Sequence, residues 1–162
     1  MGYIIGARLT QVYTAAMLTG SEAGTAPGVG DRYEDHDGKI YKFVQYDTGA
    51  GSVAAVAGNF CYYYAPGGTS AGATTVVTSD LSDSAGVGAG VLMSAPTDGD
   101  YCWIQTYGSA TLTTALTAGA DGNALTPVGS TDGTLDVSAL VTDHICAIAV
   151  DASAKIVMVT CP

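Results

Sequence analysis

Four consecutive positions, Glu34, Asp35, His36 and Asp37, bring three carboxylates and an imidazole together in one short stretch. Metal binding and general acid–base catalysis both recruit these residue types. A calcium loop starting at Asp35 would need a glutamate eleven positions on, and the chain has Tyr46 there. If segments 31–36 and 39–47 pair through Asp37-Gly38, side chains alternate between faces, so Glu34 and His36 share one face and Asp35 takes the other. Two ligands on one face do not close a metal site. The cluster therefore reads as a solvated hairpin tip, with no metal and no cofactor expected. His144 follows Asp143 at the head of an apolar run and reads as a strand-end histidine. The letters Gly-x-Ser-x-Gly occur once, at Gly68-Thr-Ser-Ala-Gly72, in the loop-like stretch after Pro66 between two expected strands and not at the strand-to-helix turn of a nucleophile elbow. The segment Gly86-Val-Gly-Ala-Gly90 lacks the lysine of a phosphate loop and opens a strand. No enzyme activity is expected. Cys61, Cys102, Cys146 and Cys161 show no metal-like spacing. Cys102 and Cys146 lie in apolar runs and read as buried thiols, and whether any of the four pair as disulfides stays open.

These groups must be held by strands. Asp-Gly occurs at 37–38, 98–99, 121–122 and 132–133, and both residues tolerate the positive φ that tight type I′ hairpins demand. Strands are expected near 31–36, 39–47, 60–65, 74–79, 87–94, 101–108, 110–116, 134–138, 144–151 and 155–161. The fold class that follows is all-β: a small antiparallel barrel or sandwich built of hairpins, with very little helix. A single helical turn is expected at 52–57, capped by Ser52 and closed by Gly58. Two hairpins share a design, with a small-residue first strand and a bulky second: Val87–Met93 with Tyr101–Ile104, and His144–Val150 with Ile156–Val159. Strands 101–107 and 156–160 carry apolar residues on both faces, so they belong in the middle of a sheet or at an interface. The organisation expected is an extended N-terminal arm over 1–18, a Gly/Pro-containing linker over 19–30 and one β-rich domain over 31–162.

Composition narrows the partners. The chain of 162 residues has a net charge of −10 with five cationic side chains. Phosphate backbones require clustered lysines and arginines, so nucleic acid is not an expected partner. No unbroken apolar run of about 18 residues occurs, so no membrane partner is expected. The start of the sequence lacks the basic and apolar regions of a secretory signal, and synthesis in a cytoplasm is expected.

Longer phrases carry a resemblance. The run Tyr41-Lys-Phe-Val-Gln-Tyr-Asp-Thr-Gly-Ala-Gly-Ser-Val-Ala-Ala-Val-Ala-Gly-Asn59, followed by Tyr62-Tyr-Tyr-Ala-Pro66, resembles head proteins of tailed bacteriophages. So do Gly88-Ala-Gly-Val-Leu-Met-Ser-Ala-Pro-Thr-Asp-Gly99 with Trp103-Ile-Gln105, and Ala110-Thr-Leu-Thr-Thr-Ala-Leu-Thr-Ala-Gly-Ala-Asp-Gly122. Over about residues 30–162 the chain is similar to capsid decoration, or cement, proteins. That resemblance implies a β-rich structural virion protein on the outer capsid surface, made in the bacterial host cytoplasm. It would bind the major capsid protein, clamp adjacent subunits, and associate with itself, with a homotrimer as first choice. Another virion component, such as a head-fibre base or tail protein, is the alternative; a small β-barrel ligand-binding domain or enzyme is a third. Tyr3, Ile4, Ile5, Arg8, Leu9, Val12 and Tyr13 are too apolar as a group for a free tail, so they form the expected arm that binds the capsid or a neighbouring copy. Tyr62, Tyr63 and Tyr64 must place rings on both faces of their strand, and they form the expected self-association surface.

Overall fold

The computed structural model describes residues 7–20, 22–68 and 74–162. It contains one short helix, α1 (Ala15–Thr19), and ten strands: β1 (Arg32–Glu34), β2 (Ile40–Tyr46), β3 (Phe60–Tyr64), β4 (Val76–Thr78), β5 (Ser84–Leu92), β6 (Tyr101–Thr111), β7 (Ala124–Thr126), β8 (Asp136–Val137), β9 (Ala147–Asp151) and β10 (Ile156–Thr160). The strands follow the order β1-β2-β4-β3-β5-β6-β10-β9-β7-β8, and β2 also pairs with β6. That second pairing closes β2, β4, β3, β5 and β6 into a small barrel, with the remaining strands outside it. The mostly-β expectation holds. The barrel is mixed, because β2 and β4 run parallel.

Alternation along the barrel strands explains why it has three packed regions. Val44, Tyr46, Cys61, Tyr63, Val77, Ala89, Leu92, Cys102 and Ile104 point inward and fill the barrel. Phe60, Tyr62 and Val91 point outward from β3 and β5, and β10, β9 and β7 cover them with Val157, Val159, Ala147, Ala149 and Leu125. Tyr41, Phe43 and Trp103 point outward from β2 and β6, where Leu9, Tyr13 and Met17 of the N-terminal segment cover them. Both faces of β6 are therefore buried along its first half, as its two-sided apolar sequence requires. Gly90, with φ of 151°, lets β5 approach β6, since a Cβ there would collide with the Gln105 carbonyl.

Several local expectations change. No strand spans 110–116: β6 continues to Thr111, the chain then leaves the sheet, and β7 forms at 124–126 instead. No helix forms at 52–57, where Ser52 takes a positive φ of 53° and Tyr46 Oη donates to the Val53 carbonyl at 2.8 Å. The buried phenol thus holds that backbone open. The N-terminal segment is not wholly extended, because α1 begins at Ala15, with Thr14 as its N-cap. The β1–β2 turn is not type I′. Gly38 N–H donates to the Asp35 carbonyl at 3.1 Å and Asp35 N–H to the Lys39 carbonyl at 3.0 Å. Gly38 alone takes positive φ there, at 76°. This is a three-residue loop, a type I turn followed by a left-handed glycine, which spares Asp37 the strained conformation.

Candidate interaction surface

The strands β6, β10 and β9 bury one set of side chains against the barrel and turn the alternate set outward. Their registers place Ser109, Met158 and Ile148 in one row, with Tyr107 beside Thr160 in the next. Ile148 is 44%, Val150 50%, Met158 37% and Tyr107 48% exposed. Ser109 and Thr160 complete these two rows, which carry no charge; Asp151 comes in only at the edge of the face, opposite Ile156 and Thr111, where β9 bulges. The loop before β9 extends the apolar character with exposed Leu140, Val141 and Ile145. On a chain of net charge −10, an uncharged apolar sheet face is the region where another surface can be covered without desolvating ions. Sequence reading found β6 and β10 two-sided but could not say which side stays open.

The expected site residues are distributed differently. Tyr3, Ile4 and Ile5 lie outside the described residues. Tyr13 is buried: its N–H and carbonyl exchange bonds of 2.9 and 2.8 Å with Tyr101, and its ring meets Phe43 edge-on at 5.2 Å. Leu9 packs on the same aromatic cluster, Val12 is half-buried, and Arg8 is exposed with only a long 3.5 Å contact to Gln11 Oε1. In this chain Leu9 and Tyr13 cover their own β2–β6 face. Between this segment, the 22–27 loop and β1 lies a groove of about 700 Å³, lined among others by Arg8, Gln11, Glu22, Asp31 and Tyr33. Trp103 also borders it, and its buried indole N–H has no hydrogen-bond partner among the described residues.

The tyrosine run is corrected as a self-association surface. Tyr62 and Tyr63 are buried, and only Tyr64 is partly exposed. Tyr62 Oη donates to the Thr134 carbonyl at 2.5 Å and accepts from the Thr134 N–H at 3.1 Å. Tyr63 Oη donates to the Pro162 carbonyl and accepts from Lys42 Nζ, each at 2.9 Å. A barrel with a closed interior and covered outer flanks buries both faces of β3, and sequence alternation alone could not distinguish that from an interface.

The acid cluster at 34–37 sits on the β1–β2 turn. Asp35 Oδ1 accepts from the Asp37 and Lys39 N–H groups, each at 3.0 Å, and Oδ2 accepts from Tyr41 Oη at 3.1 Å. Slight desolvation would raise its carboxyl, but these bonds hold it below the ordinary value. His36 points into solvent, 3.3 Å from Asp37. His144 is exposed in the loop before β9 rather than within a strand. Among the described residues, no three His, Cys, Asp or Glu side chains are placed to share a metal ion.

Two carboxylates that sequence reading missed are the most tightly held. Asp80 and Asp83 are each 3% exposed. Asp80 accepts from the Gly51 N–H at 2.7 Å, and from Ser82 N–H and Oγ at 3.0 and 2.6 Å. Asp83 accepts from the Ala50 N–H at 2.6 Å and the Gly67 N–H at 2.7 Å. The Asp47–Ser52 loop therefore wraps acceptors that lie about thirty residues further along the chain, a partnership no local pattern reveals. This is backbone satisfaction of a glycine-rich loop, in which every donor named is a main-chain N–H or the adjacent serine. Comparison of the chain with protein-family models, curated proteins and solved structures finds no match.

Proposed function

We propose that this chain is a structural virion protein that binds the outside of a bacteriophage capsid and cements adjacent major capsid subunits, associating with itself as it does so. The reading begins from the resemblance in sequence phrasing to decoration proteins. The observation that carries it furthest is the uncharged outer face of β6, β10 and β9, with Ile148, Val150, Met158 and Tyr107 open on a rigid barrel. A face fixed by a ten-stranded sheet is pre-organised, so covering it costs little ordering entropy. Its contact energy would come from apolar burial, at about 25 cal/mol per Å². A homotrimer is the assembly of first choice, carried by the resemblance alone.

The test is a variant with Ile148→Glu and Met158→Glu, compared with the parent by light scattering and by binding to capsids that lack the protein. The proposal expects the parent to self-associate and bind capsids, and the folded variant to lose both. A parent that is a monodisperse monomer and ignores capsids overturns the reading. If the variant binds capsids as well as the parent, the function is kept but the face is wrong.

A further inference from the structure

The C-terminal end of the chain brings two thiols together. Thr160 N–H donates to the Cys146 carbonyl at 2.9 Å, so Thr160 lies opposite Cys146 and Cys161 is one residue beyond. A strand spacing of about 5 Å and a rise of about 3.4 Å per residue put the two cysteine Cα atoms roughly 6 Å apart, inside the window a disulfide spans. Both side chains pack into the same apolar cluster, and Cys161 Sγ lies 3.6 Å from the Cys146 carbonyl oxygen. The neighbouring Cys146 thiol, together with burial, pushes the Cys161 thiol well above its ordinary value. Two bonds pin the terminal segment: Cys161 N–H to the Thr106 carbonyl, and Tyr63 Oη to the Pro162 carbonyl, each at 2.9 Å. Cys146 is fully buried, with its sulfur seated where Gly88 has no side chain, whereas Cys161 is partly exposed.

We infer that Cys146 and Cys161 are a latent disulfide, closed by exchange with a small external disulfide, that staples the C-terminus onto β9. The partly exposed Cys161 thiolate attacks one sulfur of the external disulfide and expels one thiolate. The Cys146 thiolate then attacks Cys161 Sγ and expels the second. The two protein thiols lose two electrons and two protons, and the external disulfide gains them as two thiols. Because thiolate is the attacking form and burial disfavours it, closure is slow at neutral pH and faster in alkali. Cys61 and Cys102 stay reduced, each inside the barrel and both with thiols raised by burial, Cys102 to about 12.

The experiment incubates the reduced, folded protein with oxidised glutathione and counts thiols after denaturation, followed by peptide mapping by mass spectrometry. The inference expects loss of two of the four thiols, a Cys146–Cys161 linked peptide and a higher melting temperature that dithiothreitol reverses. Cys146→Ser should stop at a glutathione adduct on Cys161. Four thiols surviving prolonged exposure overturn the inference. So does a mapped bridge between any other pair, or a stable glutathione adduct on Cys161 of the parent chain. Because mapping is done on the parent, the result stands even where a serine variant folds poorly.

Discussion

Asp80 shows how much of this molecule rests on single buried acceptors. Burial by itself would raise its carboxyl, yet the Ser82 hydroxyl and the backbone N–H groups of Gly51, Ser82 and Asp83 outweigh that and hold it below its ordinary value of 3.8. A carboxyl depressed in the folded state stabilises the fold above the unfolded value and loses that contribution as pH falls through the folded one. Asp80→Asn would turn an amide donor toward one of the N–H groups now served. The expected cost is roughly 1.5–3 kcal/mol, the range for hydrogen bonds to charged groups. Urea melts at neutral pH should show that loss, and the gap between parent and variant should narrow as pH falls below about 4, where the unfolded parent's carboxyl takes up its proton first, and should close once the folded carboxyl is protonated too. A gap that stays constant into acid would mean that Asp80 does not act through its charge.

The N-terminal segment is the element whose packing the sequence left most open. Its apolar residues suggest an arm free to reach a neighbour, but Tyr13 closes the aromatic cluster of Phe43, Tyr101 and Trp103. The helix that follows is five residues long, and Thr14 makes no side-chain cap. Such a helix holds only by packing. Tyr13→Ala should therefore destabilise the protein by about 3 kcal/mol or more, as truncation of a buried aromatic does. Trp103 is the single tryptophan, so its emission should shift to the red if the segment undocks. Deleting residues 1–18 should produce the same shift and lower the melting temperature. Unchanged melting and emission after deletion would show that the segment is dispensable to the body and free to serve a partner.

At the scale of the whole molecule, two properties follow from charge and burial. Copies that each carry −10 repel one another, while the proposed contact face is uncharged. Raising the salt shortens the Debye length, to about 10 Å near 0.1 M, and should strengthen self-association. Sedimentation at low and high salt checks this, and association that weakens with salt would point to ion pairs instead. Alkali should unfold the barrel cooperatively. Burial, with a smaller contribution from Asp35, raises Tyr41 to about 12; burial, with the neighbouring Cys61 thiol, raises Tyr63 to about 12; and burial raises Tyr46 and Tyr62 as well. A phenol raised in the folded state stabilises the fold below its unfolded value near 10, and that contribution is lost as pH rises through the folded value. Absorbance at the phenolate band and circular dichroism should therefore change together between about pH 10 and 12. Full ionisation of these phenols with no loss of structure would contradict their burial.

Much of the fold is legible in the sequence, because strand formation depends on short-range alternation and on turn residues. β2, β3, β6, β9 and β10 fall where their apolar runs place them, and the two hairpins with small first strands form as β5–β6 and β9–β10. Gly38, Gly99, Gly122 and Gly133 all take the positive φ that their Asp-Gly pairs announce. What the sequence could not decide is which face of a two-sided strand stays open. Tyr62 and Ile148 each lie on strands with apolar residues facing both ways, yet one ring is sealed beneath the outer strands and the other side chain faces solvent. That difference is set by the β2–β6 closure and by the docking of β10, β9 and the N-terminal segment. The parallel β2–β4 pair and the seating of the Asp47–Ser52 loop on Asp80 and Asp83 are decided in the same way. Each depends on contacts between residues far apart in the chain, and local periodicity holds no record of such distances.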